Sequence, residues 1–201
     1  SSAAYRSVIR FLNSTDSLQL IHWYAPAGTE LQCGVDGVWK VGANPVHHDG
    51  NAARFAAPDA VLEDQKAANT AGGTATSGSW QTRDLNTEVL DPNGLITLAS
   101  NQFTPTANGW VEWSAPSFAC NGHKTRLYNV TDSNAVAVGA SSYVGAAALC
   151  SSVSVGGGPV AAGKTYRIEN RVETTKATSG MGSANNFGEA EVYTRVRFWR
   201  S

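Results

Sequence analysis

The clearest structural signal in this chain is Thr165-Tyr166-Arg167-Ile168-Glu169-Asn170-Arg171-Val172-Glu173, which alternates apolar with charged residues. Successive side chains of a β-strand point to opposite faces of its sheet. The segment therefore predicts a strand with one apolar and one charged face. Its inner face is predicted to carry Tyr166, Ile168 and Val172, and its outer face Arg167, Glu169, Arg171 and Glu173.

A second segment repeats this alternation: Glu191-Val192-Tyr193-Thr194-Arg195-Val196-Arg197-Phe198-Trp199. It predicts another strand, with Val192, Val196 and Phe198 facing inward and Glu191, Arg195 and Arg197 facing outward. If the two strands are neighbours, their outer faces offer cross-strand charge pairs, each worth roughly 0.2–1 kcal/mol.

Weaker strand signals precede these two at near-regular spacing, over residues 80–90, 95–98, 109–115, 125–130 and 136–139. The first is followed by Asp91-Pro92-Asn93-Gly94, whose proline and Asn-Gly pair are typical of a tight turn. About eight strands with no convincing helix after residue 80 is the pattern of a sandwich or jelly roll. We therefore predict an all-β chain with a jelly-roll-like β-sandwich.

The first 60 residues predict a smaller β region. Residues 30–33 and 38–41 are short strand signals separated by Gly34-Val35-Asp36-Gly37, a spacing that predicts a β-hairpin. All nine residues 71–79 are Gly, Ala, Ser or Thr, which predicts a flexible boundary or a long loop. The predicted organisation is a small N-terminal β anchor region, residues 1–60, followed by a sandwich head, residues 61–201.

The composition excludes several classes of protein. The 201 residues include 15 Lys and Arg against 16 Asp and Glu, a net charge of -1, and only 15% are charged, whereas about 25% is usual. A near-neutral chain lacks the basic surface of a nucleic-acid binder. No apolar run reaches the roughly 18–20 residues of a membrane span, so membrane insertion is not predicted. Surface buried between subunits would explain the shortage of charge.

Cofactor and metal sites are not predicted. His47-His48-Asp49 is the densest group of possible metal ligands, but adjacent strand residues point to opposite faces, so a solvated turn is the favoured interpretation. Cys33, Cys120 and Cys150 are far apart and odd in number, which favours reduced, mostly buried thiols. A Cys120–Cys150 bridge is the alternative.

The catalytic and nucleotide-binding motifs GxSxG, HExxH and GxGxxG do not occur in the chain, and we predict that it is not an enzyme. The alternative is a polysaccharide depolymerase, which needs two carboxyl groups about 5–10 Å apart. Candidate carboxylates for that reaction are Glu63, Asp64, Asp84, Glu88 and Glu112.

Candidate ligand or interface residues lie on one strand and in turn-rich loops. Trp110 and Trp113 differ in parity, so one of them must face away from the core if they share a regular strand. We add His123, although a single histidine is more often structural, and Asn185 and Asn186, whose amides suit recognition of hydroxyl groups. The loops expected to hold a glycan are residues 101–109, 117–124 and 175–187.

Ordered sequence blocks carry a family resemblance. They are Gln65-Lys66-Ala67, residues 72–87 (GGTATSGSWQTRDLNT), residues 98–104 (LASNQFT), residues 111–116 (VEWSAP), residues 123–132 (HKTRLYNVTD) and residues 187–194 (FGEAEVYT). Together they resemble a C-terminal module of tailed-bacteriophage and prophage fibre or spike proteins. The resemblance covers roughly residues 62–201.

The resemblance implies a jelly-roll head similar to tumour-necrosis-factor-like trimers, displayed on the virion surface and attached to the tail or the capsid. It implies a homotrimer whose N-terminal region binds other virion structural proteins and whose head binds a host surface glycan or protein. It transfers no catalytic residues. The alternative within this class is a capsid or tail decoration protein that binds no receptor.

Overall fold

The computed structural model describes residues 57–201 and, before them, the backbone of three short strands: β1 (Leu31–Cys33), β2 (Trp39–Val41) and β3 (Asn44–Pro45). These strands form an antiparallel sheet in the order β1-β2-β3, with Leu31 opposite Val41. The hairpin predicted for residues 30–41 is therefore confirmed. The rest of the predicted N-terminal β region, the His47-His48-Asp49 cluster and the Cys33 side chain lie outside the described residues.

The chain divides into two compact units, residues 1–53 and residues 54–201. The sequence places the division at residue 60 instead. Ala60 is the first residue of β4, the first strand of the larger unit. It is fully buried because its methyl group packs in the core of that unit, so it belongs to the larger unit.

The larger unit contains twelve strands, and residues 57–201 contain no helix. Their bounds are β4 (Ala60–Lys66), β5 (Gln81–Thr82), β6 (Thr87–Leu90), β7 (Ile96–Ala99), β8 (Gln102–Pro105), β9 (Gly109–Phe118), β10 (Asn121–Asn129), β11 (Asn134–Val138), β12 (Ser142–Val144), β13 (Ser151–Val160), β14 (Tyr166–Val172) and β15 (Glu191–Arg200). The predicted all-β class is confirmed.

These strands form two antiparallel sheets. The five-stranded sheet has the order β13-β9-β15-β4-β6, and the seven-stranded sheet has the order β11-β10-β14-β8-β7, with β12 also paired to β10 and β5 to β14. One core cluster takes side chains from both sheets: Leu62, Val111, Trp113, Val196 and Phe198 from the first, and Phe103, Leu127, Tyr166 and Ile168 from the second. The unit is therefore a β-sandwich-like fold.

The two segments that carry the strongest sequence signals lie in different sheets, so the cross-strand pairs expected between them do not form. Tyr166, Ile168 and Val172 are buried on β14, as predicted. The charges of β14 and β15 find other partners. Glu169 binds the guanidinium groups of Arg126 and Arg167, and Arg195 donates to Glu63 at 2.5 Å.

A β-bulge changes the faces of β15. Val192 lies opposite Gln65 and Arg195 lies opposite Glu63, so β15 has one more residue than β4 over this interval. An extra residue reverses the inside–outside alternation of a strand. Val196 and Phe198 are buried as predicted, but the prediction is wrong before the bulge, where Val192 is exposed and Glu191 is buried.

The prediction of one continuous strand over residues 80–90 is also wrong. Two short strands stand there, β5 in the seven-stranded sheet and β6 in the five-stranded sheet. Arg83 and Leu85 lie buried on the connection between them. The chain crosses from one sheet to the other here, which local alternation cannot reveal. The Asp91-Gly94 turn does form, with Gly94 N–H donating to Asp91 O at 3.3 Å.

The ten-residue strand β13 has an inverted pattern that sequence reasoning missed. Its serines Ser152 and Ser154 are buried, and its valines Val153 and Val155 are about half exposed. Small inward residues are required because β13 packs closely against large neighbours. A Cβ on Gly156 would lie 2.2 Å from the Trp113 ring. Any residue other than glycine would therefore clash with Trp113.

The small-residue segment 71–79 is a packed loop and not a domain boundary. Gly72 and Gly73 donate backbone hydrogen bonds to Gly182 O and Thr178 O, each at 2.9 Å, and Ala75 pairs with Lys176. A Cβ on Gly72 would meet the Met181 backbone at 2.8 Å. Gly72 is thus needed for close contact with the loop between β14 and β15, whereas Gly73 has a φ of +109°, which favours glycine.

Candidate binding groove

A groove lies at the end of the five-stranded sheet where β9 ends and β13 and β15 begin. Its volume is about 380 Å³, and its lining comes from the end of β9, the residues before β13, the β14–β15 loop and the first residues of β15. A smaller pocket of about 170 Å³ adjoins it and shares Asn185, Glu191 and Val192 with it. We call the two together the end groove.

The loop between β14 and β15 forms the groove by entering between β9 and β15. Phe118 N–H donates to Gly180 O at 3.2 Å, and Arg83 donates to Pro116 O and Met181 O. These bonds occupy the end of β9, so the direct pairing of β9 with β15 stops at Ser114 and Arg195. The space between the separated strand ends is the groove.

The floor of the groove is built around Tyr193. Its ring is buried, and its hydroxyl donates to Thr70 O at 2.8 Å. Burial, together with the Glu191 and Asp64 carboxylates, raises the pKa of Tyr193 to about 12, so the phenol stays protonated and keeps this bond. Gly182 passes over the ring with φ of +142°, and a Cβ there would lie 2.1 Å from it.

Two apolar side chains project at the rim. Leu149 and Phe187 are each 85% exposed. Folding therefore derives little stability from either side chain, because most of their apolar surface remains in water. Exposed apolar groups beside a groove are typical of binding surfaces.

The buried carboxylate of Glu191 positions the asparagine turn that lies in the end groove. Glu191 Oε1 accepts the backbone N–H groups of Asn185 and Asn186 at 3.0 and 3.3 Å. These bonds fix the turn that presents the two exposed asparagine amides. Ser183 and Ser151 add hydroxyl groups to the lining, and Glu189 adds an exposed carboxylate. The groove thus combines apolar rims with hydroxyl, amide and carboxylate groups.

The residues singled out from the sequence are distributed over three places. Asn185 lines the groove and Asn186 is exposed beside it. Trp110 lies on the outer face of the five-stranded sheet, 48% exposed, whereas Trp113 is 3% exposed in the core. The parity argument for this pair is confirmed, and Trp113 cannot contact a surface ligand.

His123 is buried between the sheets. Its Nδ1 lies 3.4 Å from Ser152 Oγ, and its Nε2 has no hydrogen-bond partner within the described residues. Burial, reinforced by the Arg83 charge, lowers the pKa of His123 to about 4. The ring is therefore neutral at pH 7 and is not available to a surface ligand.

Two of the three predicted ligand loops contribute to the groove. Phe118 comes from residues 117–124, and Gly182, Ser183 and Asn185 come from residues 175–187. Residues 101–109 lead into the start of β9, at the opposite end of the sheet. The sequence missed Leu149, Glu189 and Glu191 as groove residues, although the alternation Glu189-Ala190-Glu191-Val192 places both glutamates on one side of an extended chain.

The carboxylates considered for a depolymerase are mostly engaged elsewhere. Asp84 accepts a hydrogen bond from the Lys66 ammonium group at 2.6 Å, and Asp64 forms an ion pair with the same group at 3.1 Å. Glu63 is bound by Arg195. None of these three lines the end groove. Glu189 and Glu191 are its carboxylates, and one oxygen of Glu191 is held by the two backbone N–H groups.

Cys150 lines the groove as an exposed free thiol, and Cys120 is buried and also free. The two are therefore not bridged, and the prediction of a buried thiol is wrong for Cys150. Residues 57–201 contain no cluster of three metal-ligating side chains. In the same part of the chain, no helix long and apolar enough to cross a membrane is found.

Comparison with known proteins finds no family model that matches this chain and no curated protein that matches it. The geometry of residues 57–201 is therefore the basis for the function proposed below.

Proposed function

We propose that this protein is a bacteriophage virion-surface fibre or spike protein that binds a host-surface glycan through the end groove, without enzymatic activity. The observation that carries the proposal is the combination of Phe187 and Leu149 at the rim with the Asn185 amide and the Ser183 hydroxyl beside them. Sugar rings present apolar C–H faces and hydroxyl edges. A groove with both kinds of group is complementary to them.

We expect variants of the groove to lose glycan binding. Phe187→Ala removes an exposed apolar contact, and Asn185→Ala removes an amide, so each should reduce binding at least tenfold. The measurement is binding of the full chain to an array of purified neutral bacterial surface polysaccharides. Tyr143→Ala is the matched control, because Tyr143 is an exposed aromatic residue outside the groove, and it should stay within twofold of the wild type.

Binding that is unaffected by Phe187→Ala and Asn185→Ala, or no binding to any polysaccharide, would contradict this function. The second result would favour a decoration protein that uses the sandwich only as structure. Release of new reducing ends that is abolished by Glu189→Gln would replace the proposal with a depolymerase.

The proposed head is a jelly-roll-like sandwich that assembles as a homotrimer. The outer face of the five-stranded sheet supports this assembly, because Trp110, Val153 and Val155 are each about half exposed on it. Val155 and Val153 lie beside Ser114 and Pro116 of β9, so the surface is continuous across two strands. The part of the face formed by Val153, Val155, Ser114 and Pro116 carries no charge of its own, whereas Glu112 and Arg197 lie opposite each other nearer Trp110.

We expect light scattering after size-exclusion chromatography to give about three times the 21.1 kDa mass of one chain. The double variant Val153→Asp with Val155→Asp should give the mass of a single chain, because charged side chains resist burial between subunits. Val138→Asp is the control, since Val138 is equally exposed on the other sheet. A wild-type chain that is monomeric at every concentration would refute the trimer.

A further inference from the structure

The outer face of the seven-stranded sheet carries a basic and aromatic surface that is separate from the end groove. It comprises Lys124, Arg126 and Tyr128 of β10, Arg167, Glu169 and Arg171 of β14, and Trp80 just before β5. In the antiparallel register, Lys124 lies opposite Arg171, Arg126 opposite Glu169, and Tyr128 opposite Arg167. Residues that are directly opposite share a face, so these side chains form one surface, which we call the basic face.

Two aromatic rings, those of Trp80 and Tyr128, stack against the arginines of the basic face. The Arg126 guanidinium carbon lies 4.3 Å from the centre of the Trp80 ring and 4.9 Å from that of Tyr128. The Arg167 guanidinium carbon lies 4.9 Å from the same Tyr128 ring. Cations stacked on rings at these distances gain cation–π attraction. The guanidinium groups and the rings are thus held against one another along the sheet.

The buried carboxylate of Glu169 holds the Arg126 and Arg167 side chains in place. Arg126 Nε donates to its Oε2 at 2.5 Å, and Arg167 Nε donates to its Oε1 at 2.8 Å. Glu169 is only 2% exposed, so its carboxylate serves the two guanidinium groups and is hidden from a ligand. An incoming ligand therefore meets the cationic groups and the rings.

The charges of the face do not balance. The face carries four cations: Lys124, Arg126, Arg167 and Arg171. Two carboxylates accompany them: Glu169, and Glu173, which follows Arg171 by two residues and so lies on the same side of the extended chain. Glu173 Oε2 accepts the Gly122 backbone N–H at 3.0 Å. Within residues 57–201, neither Lys124 nor Arg171 has a carboxylate in ion-pair contact. They lie directly opposite each other, and like charges in that position are destabilising.

We propose that the basic face binds an acidic polysaccharide, a sugar chain that carries carboxylate groups. A carboxylate placed between Lys124 and Arg171 removes their repulsion. The parts of the half-buried Trp80 and Tyr128 rings that the arginines leave uncovered add apolar surface for neighbouring sugars. The strand rise of roughly 3.3 Å per residue makes the stretch from Lys124 to Tyr128 about 13 Å long. The face is therefore long enough to follow a chain and not only a single anion.

The charge of the protein favours an acidic sugar chain over a nucleic acid. The whole chain has a net charge of -1 and a pI of about 6.4, whereas nucleic-acid-binding domains are strongly basic. The face has an excess of two positive charges, which suits a polymer with sparse carboxylates better than one with a phosphate on every unit. This proposal does not depend on ligand binding in the end groove.

The test is binding of the full chain to polygalacturonate at low ionic strength, with neutral dextran, polyphosphate and a single-stranded oligonucleotide as comparison polymers. We expect binding to polygalacturonate, weakening as salt is added because exposed charges are screened, and none to dextran. The double variant Lys124→Ser with Arg171→Ser should lower the affinity at least tenfold, and Trp80→Ala should lower it at least threefold.

Arg197→Ser is the matched control, because Arg197 is an exposed arginine on the outer face of the other sheet, and it should keep the affinity within twofold. Phe187→Ala should also leave polygalacturonate binding unchanged, which separates this surface from the end groove. Lys124 is half-buried and Arg171 is exposed, so the double variant should keep the fold. Circular dichroism measures this.

Absence of polygalacturonate binding, or equal binding by the double variant, would overturn the proposal. Tighter binding to the oligonucleotide would assign the face to nucleic acid instead. Equally tight binding to polyphosphate that is insensitive to Trp80→Ala would reduce the face to nonspecific attraction of polyanions, and would also overturn recognition of a sugar chain.

Discussion

Replacing Trp113 with alanine should lower the free energy of unfolding by about 3–5 kcal/mol, as expected for a large aromatic side chain removed from a core. Trp113 is 3% exposed, and its indole Nε1 donates to Thr125 Oγ1 at 2.8 Å. The substitution therefore opens a cavity and leaves the Thr125 hydroxyl without this donor. Urea denaturation at one fixed protein concentration measures the loss, because association would otherwise change the apparent stability.

Trp110→Ala provides the contrast on the same strand. Trp110 is about half exposed on the outer face, so its replacement should change the stability of a single chain by less than about 1 kcal/mol. If the two substitutions had equal effects, the assignment of opposite faces to this pair would be wrong. Trp110→Ala should instead weaken the proposed assembly, which light scattering would detect.

Arg83→Met should lower the free energy of unfolding by at least about 3 kcal/mol, since it removes a buried cation that several acceptors depend on. The Arg83 guanidinium is fully buried and donates to Thr194 Oγ1 at 3.0 Å, Pro116 O at 3.0 Å and Met181 O at 2.8 Å. Methionine has a similar length but no donor, so the two backbone carbonyls would lose this hydrogen-bond partner.

Arg83 is charged despite its burial. Desolvation lowers the pKa of Arg83 to about 10, while Asp64 and Asp84 act in the opposite direction, so the cation persists at neutral pH. Arg83→Lys keeps the charge, but a single ammonium group cannot reach acceptors on three segments, and we expect an intermediate loss of about 1–2 kcal/mol.

The exposed Arg197 supplies the control for this series, and Arg197→Met should stay within about 0.5 kcal/mol of the wild type. Arg83 also holds Met181 and Pro116, which flank or line the end groove. Glycan binding should therefore weaken in Arg83→Met even where the variant remains folded. A variant with unchanged stability and unchanged binding would show that Arg83 has no such structural role.

Much of the fold follows from local alternation, and particular elements show where this stops. The faces of β14 and the opposite exposure of Trp110 and Trp113 are readable from sequence, because each depends only on the two-residue period of a strand. The exposure of Val192 cannot be read from the sequence, because it results from a β-bulge that forms only when β15 pairs with β4. The strand β13 was missed since its valines face outward and its inward residues are small.

The candidate site divides in the same way. Asn185 and the loops at residues 117–124 and 175–187 were recognisable from their turn-rich composition. The contributions of Leu149 and Glu191 were not, because the groove exists only where the β14–β15 loop separates β9 from β15. The basic face likewise requires Trp80, Arg126 and Arg167 to meet from three separate segments.

The amino-acid sequence by itself determined that this chain is a charge-poor, all-β protein, because the two-residue period and the composition are local properties. Only the tertiary structure decided which strands are neighbours, which charges meet and where a groove opens. Strand pairing depends on contacts between distant segments. The sequence of one segment alone therefore determines neither its pairing register nor how deeply its side chains are buried. The structure therefore located the end groove and the basic face, each built from segments far apart in sequence.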